Sequence, residues 1–180
     1  MDIKSSAIAV AAIGVVLGSF LSYADEHEWR LSAEAVTPVN NETYAAECGG
    51  CHFAYPPGLL PARSWRALMG GLDNHFGDNA ELAPDLVVQL TDYAVANAAD
   101  RSSAWVSRGI AATVREGQTP LRISELQYIR DKHDELPARL VRDNPEVAGL
   151  GNCSACHGSA KDGVFDEHSV RIPGYGAWED

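Results

Sequence analysis

Apolar residues recur along this chain at helical spacing. Trp65, Leu68, Met69 and Leu72 fall at i, i+3, i+4 and i+7, which predicts a helix capped by Ser64. Leu86, Leu90, Tyr93 and Ala94 trace one face of a longer helix, opened by Pro84 and running to about Ala99. A third helix is expected from about Ser124 to Glu135, ended by Pro137. There Leu126, Ile129 and His133 sit at i, i+3 and i+7, which puts His133 on the apolar face. Shorter helices are expected from Asn41 to Cys51, with an N-cap at Asn40 or Asn41, and after Asn144-Pro145. Pro56-Pro57-Gly58-Leu59-Leu60-Pro61 cannot be regular helix. Ala104 to Gln118 is weakly patterned, and the Gly-rich tail from Gly158 to Asp180 is expected to be irregular. No stretch reads as a strand, so the fold class expected is mainly α.

The opening segment follows a different rule. Ala7 to Leu21 is apolar apart from Gly14, Gly18 and Ser19, and Ser22-Tyr23-Ala24 places small residues before Asp25. A run of about 15 residues falls short of the ~20 needed to span a bilayer. Residues 1–24 are therefore expected to be a cleaved signal peptide, and the mature protein to be periplasmic and soluble. Asp100 to Ser103 marks a boundary, giving two expected domains at 25–103 and 104–180.

Charge narrows the choice of partners. Twenty-five acidic residues against 14 basic ones leave a formal net charge of −11. Nucleic acid is excluded as the expected partner, whereas a basic protein surface fits, with steering that weakens as salt rises.

All four cysteines fall in two copies of one motif, Cys48-Gly49-Gly50-Cys51-His52 and Cys153-Ser154-Ala155-Cys156-His157. Cys-x-x-Cys-His is the attachment signature of c-type haem. Residues i, i+3 and i+4 of one helical turn share a face, so both thiols and the imidazole point the same way. Each thiol can then form a thioether to a haem vinyl group while His52 or His157 binds iron. Two Cys and one His make an incomplete zinc set, and the trailing histidines argue against a plain disulfide framework. Two covalently bound haems are the expected cofactors.

The second axial ligand of each iron largely decides what such a protein does. His75 follows the Trp65 helix, beside Phe76, and His133 precedes the second motif. His27 and His168 stand among acidic residues and read as solvated, and Met69 reads as core. The expected pairs are His52 with His75 and His157 with His133, each His chosen for the motif nearer in sequence. Such pairs favour ferric iron relative to His/Met ligation, so low potentials are expected.

These stretches together resemble the bacterial dihaem cytochrome c family. The residues that carry the resemblance are Glu47 to His52, Leu60-Pro61-Ala62-Arg63-Ser64-Trp65, Asn74-His75-Phe76-Gly77, Lys132-His133, Asn152 to His157 and Phe165 to Pro173. The resemblance implies a periplasmic electron carrier whose N-terminal half has class I cytochrome c-like helices around one haem. The C-terminal half would be irregular and helical around the second. It also implies bis-His ligation, carried onto His52, His75, His133 and His157. The partners it implies are a membrane cytochrome b and a small monohaem cytochrome that binds oxygen. An electron carrier has no small-molecule substrate and is no enzyme. The rival reading, a dihaem peroxidase or gas-binding reductase, needs one open iron.

Overall fold

The computed structural model describes residues 35–178. The expected signal peptide and His27 lie outside the described residues. Among those described, six α-helices carry the fold: Glu42–Cys48 (α1), Ala62–Met69 (α2), Pro84–Ala96 (α3), Trp105–Thr113 (α4), Gln127–Asp131 (α5) and Cys153–Cys156 (α6). Short 3-10 turns connect them. The architecture is mainly helical, as the apolar spacing predicts.

Local chemistry sets where each helix begins and ends. The Asn41 side chain accepts a hydrogen bond from the Tyr44 amide at 2.9 Å, capping α1 as expected. Gly49 and Gly50 then end α1 at Cys48, before the expected Cys51, because paired glycines favour the unfolded backbone over the helix. Pro57–Leu59 forms a 3-10 turn, and Pro61 is the residue that opens α2. Ser64 is therefore inside the helix and fully buried, and does not cap it. The Trp65 indole donates to the Pro57 carbonyl at 2.7 Å, which ties α2 to the proline-rich loop. Pro84 opens α3 as expected, and Leu90 and Ala94 are wholly buried.

Elsewhere the structure departs from the sequence pattern, each time for a local reason. The weakly patterned stretch after Ala104 folds as α4, burying Val106, Ser107 and Ile110. The helix expected from Ser124 to Glu135 is broken at Leu126, whose extended backbone (φ −62°, ψ 136°) lets its side chain enter the core. His133 thus lies in a turn beyond the end of α5 rather than on a helix face. After Asn144-Pro145 the chain makes a single turn, in which the amides of Val147 and Ala148 both donate to the Asn144 carbonyl. Ala148 then adopts φ 61° and ends it. The tail also holds a two-residue hairpin, Arg171–Ile172 (β1) antiparallel to Gly176–Ala177 (β2), too short to leave a periodicity in the sequence.

Two apolar clusters hold these elements. One gathers Tyr44, Leu60, Trp65, Met69, Leu90 and Ile110 with Leu126. The other gathers Leu140, Val141, Val147, Val170 and Ile172. Each large side chain so buried contributes about 1.5–3 kcal/mol. Asn144 anchors the tail to the second cluster, its amide donating to the carbonyls of Leu140 and Pro173. Among the described residues, no helix is long and apolar enough to cross a membrane.

Gly109 shows how closely α4 and α5 meet. A Cβ there would lie 2.2 Å from Cε2 of Tyr128. Alanine in place of a helix glycine ordinarily gains up to ~1 kcal/mol, but here the overlap reverses the sign. Gly109→Ala should cost about 1–3 kcal/mol and lower Tm by several degrees, measured by thermal unfolding of the haem-loaded protein. An unchanged or raised Tm would show that Tyr128 moves aside freely.

Candidate haem-binding site

The two attachment motifs sit differently on the backbone. In the second, Cys153 and Cys156 share the single turn of α6 and His157 caps it, so the one-face geometry holds. In the first, Cys48 closes α1 while Cys51 and His52 follow in a bend that Gly49 and Gly50 permit. All four cysteines are free thiols. Burial pushes the Cys153 thiol up to about 11. Burial, with help from Glu47, does the same to Cys48. Cys156 is also raised by burial. Among the described residues, no three His, Cys, Asp or Glu side chains converge on a metal position.

The four histidines meet in two opposed pairs. The rings of His52 and His75 are 6.2 Å apart between centroids, at 22° to each other. Those of His133 and His157 are also 6.2 Å apart, at 76°. A metal–imidazole bond of roughly 2 Å on each side, plus the half-width of each ring, separates two trans imidazoles by about 6 Å. Both pairs therefore have the spacing of rings that face each other across one iron. His75 and His133 each oppose the histidine of the nearer motif.

Contacts behind the rings prepare them as ligands. His52 Nδ1 donates to the Phe53 carbonyl at 2.8 Å, and His133 Nδ1 to the Ile129 carbonyl at 2.6 Å. In a neutral ring, each bond keeps the proton on Nδ1 and leaves the Nε2 lone pair for a metal. The Nδ1 atoms of His75 and His157 are buried and unpartnered. Burial holds His157 down to about 4, reinforced by His133 and opposed by Asp166. Burial likewise lowers His75, with His52 and Arg122 adding to it and Asp78 opposing. Neutral imidazole is the ligating form.

Apolar walls complete the second site. A cavity of about 280 Å³ opens beside His133 and His157, lined by Ile129, Leu136, Val147, Leu150 and Trp178, with Cys153 and Cys156 on its wall. Phe165 presents its edge to His157 at 5.5 Å. At the first site Tyr55 lies 5.2 Å from the His52 ring, and Phe76 meets His75 edge-on at 4.8 Å. Arg122 stacks on Phe76, its guanidinium carbon 4.0 Å from the ring centre. Both sites fit a porphyrin iron: opposed imidazoles, adjacent thiols and aromatic or aliphatic walls.

The remaining candidates stand apart. Met69 is buried in the first cluster, and His168 is exposed on the 3-10 turn Glu167–Ser169. Sequence reasoning missed Tyr55, Arg122 and the Ile129 carbonyl, for which the sequence carries no local signal, whereas Phe165 opens a stretch that carries the family resemblance.

The chain is similar to known dihaem proteins. Residues 44–165 match the family described as dihaem cytochrome c. Among solved structures, a diheme cytochrome type c from Shewanella baltica OS155 is 44% identical with a TM-score of 0.64, covering 76% of this chain and 96% of that one. A diheme cytochrome c from Rhodobacter sphaeroides is also 44% identical, with a TM-score of 0.64 and coverage of 72% and 100%. No curated protein matches the chain. The matched span holds both motifs and all four paired histidines, and the solved relatives align over nearly their whole length: the chain belongs to the dihaem cytochrome c family.

Proposed function

We propose that this electron-transfer protein is a periplasmic carrier whose two irons are each closed on both axial sides. His52 and His75 close the first, and His133 and His157 the second. The protein carries two c-type haems, attached through the Cys48/Cys51 and Cys153/Cys156 pairs. The observation that carries the ligand reading is the common 6.2 Å spacing of the two ring pairs. With nitrogen donors on both sides, each iron favours the ferric state, so both potentials are low. A closed iron exchanges electrons by approach of haem edges and binds no substrate. A membrane cytochrome b on one side and a small monohaem cytochrome on the other are the partners the family resemblance suggests. The net charge of −11 favours a basic partner surface and an association rate that falls with salt.

Optical and EPR spectra of the haem-loaded mature protein, oxidised and reduced, with and without CO, test this reading. Two low-spin signals and no CO-induced shift are expected. A high-spin signal, or a CO complex at either iron, would overturn it in favour of a peroxidase or gas-binding enzyme.

A further inference from the structure

A turn from the second half of the chain holds a positive charge against the first site. Ile123 and Leu126 pack into the first core and leave Arg122 exposed between them and Leu121. Arg122 is an extended residue that opens the 3-10 turn Ile123–Glu125, and its carbonyl accepts from the Glu125 amide at 3.1 Å. Its guanidinium lies over the Phe76 ring, 4.0 Å from the centre. Phe76 in turn meets the His75 ring edge-on at 4.8 Å. The backbone beneath is fixed, with Phe76 at φ 59° and Gly77 at φ 107° inside a turn closed by two hydrogen bonds between His75 and Asp78. Imidazole, phenyl ring and guanidinium therefore form one chain of contacts. The opposing carboxylates are held less firmly. Glu125 is 3.7 Å from Arg122 Nε, with the two side chains 67% and 49% exposed, a pairing that contributes little. Asp73 and Asp78 flank His75 in sequence and are exposed, so water screens both.

We propose that Arg122, seated on Phe76, sets the potential of the first iron, raising it above the value that two imidazole ligands alone would give. The proposal rests on the reading above, in which His52 and His75 ligate that iron. Reduction by one electron from a redox protein removes one positive charge from the site. A fixed cation nearby is repelled less by the ferrous site than by the ferric one, so it favours the reduced state. Burial, His52 and Arg122 together hold the His75 imidazole below its ordinary value, against Asp78, so the guanidinium is felt at the ligand itself. Guanidinium keeps its proton at every pH the protein meets, so this contribution does not vary with pH. Arg122 is absent from the lining of the second cavity, which confines the effect to the first iron.

The test is a reductive titration of the haem-loaded protein followed by EPR, for the wild type, Arg122→Gln and Arg122→Lys. The signal of the first iron is the one that His75→Met removes. In Arg122→Gln that iron's potential should fall, so that at a fixed applied potential its ratio of ferrous to ferric form drops about two- to tenfold. The second iron should shift much less. Arg122→Lys keeps the charge but loses the planar guanidinium, and should recover part of the loss. The gap between wild type and Arg122→Gln should narrow as salt rises, because the Arg122 side chain is 49% exposed. Both low-spin signals should persist in each variant. An unchanged first-iron potential in Arg122→Gln would overturn the proposal. An equal fall at both irons, a gap that salt does not narrow, or no recovery in Arg122→Lys would also overturn it, assigning the effect to packing. Loss of the first low-spin signal in Arg122→Gln would do the same, making Arg122 a prop for His75. If the wild type itself lacks two low-spin signals, the ligand reading has failed and the proposal with it, a result distinct from every variant outcome.

Discussion

Replacing His133 by alanine should turn one of the two irons high-spin and allow CO to bind half of the total haem. In the proposed ligation His133 is the distal partner in the second pair, with its ring 6.2 Å from that of His157. It sits in a turn beyond α5, held by its Nδ1 bond to the Ile129 carbonyl, so its loss removes a ligand without breaking a helix. Among the described residues, neither His168 nor Lys132 stands ready as a substitute. His168 is exposed on another turn, and the amine of Lys132 is engaged 3.6 Å from the Glu167 carboxylate. Removal of the His133 ring leaves room for a diatomic ligand opposite His157. Added imidazole should restore the low-spin spectrum, which would show that the pocket is intact. EPR of the oxidised variant and optical CO titration of the reduced one read the result. Two low-spin irons in the variant would remove His133 from the ligand set.

How much of this was legible depends on the kind of constraint. Attachment chemistry demands two thiols and an imidazole within five residues, so Cys48 to His52 and Cys153 to His157 can be read from spacing alone. Long amphipathic stretches are nearly as legible, because Leu90 and Ala94 must recur one turn apart to enter the core. The helix at Trp105–Thr113 was hidden by its own packing. Its buried face includes Ser107, and it makes room for Tyr128 with Gly109, so small residues stand where apolar periodicity would look for large ones. The break at Leu126 was hidden for the opposite reason. An apolar residue at the right helical phase reaches the core from an extended backbone instead. The helix stops short of His133, yet a turn brings its ring within 6.2 Å of that of His157, as a helix would. Contacts such as Tyr55 to Gly151 left no trace in the sequence, since nothing local requires a partner 96 residues away.

His75→Met should raise the potential of the first iron by about a few tenths of a volt, out of the ~0.8 V range that axial ligands span. Thioether sulfur stabilises ferrous iron better than a second imidazole does, and the flexible methionine side chain can reach the place the ring vacates. The backbone there is well fixed. The His75 amide donates to the Asp78 carbonyl at 2.7 Å, and Phe76 is held at φ 59° with Arg122 stacked on its ring. The variant also separates the two irons by spectrum. Each imidazole interacts with the iron d orbital perpendicular to its own plane. Rings at 22°, as in His52 and His75, act on the same orbital and split the pair, which gives a rhombic low-spin signal. Rings at 76°, as in His133 and His157, act on both orbitals and leave them nearly degenerate, which gives a single signal at large g. The oxidised wild type should therefore show one signal of each type. In His75→Met the rhombic signal should vanish, the large-g signal should remain, and a far-red methionine–ferric band should appear. Loss of the large-g signal instead would place His75 on the other iron. Loss of neither would mean that His75 is no ligand.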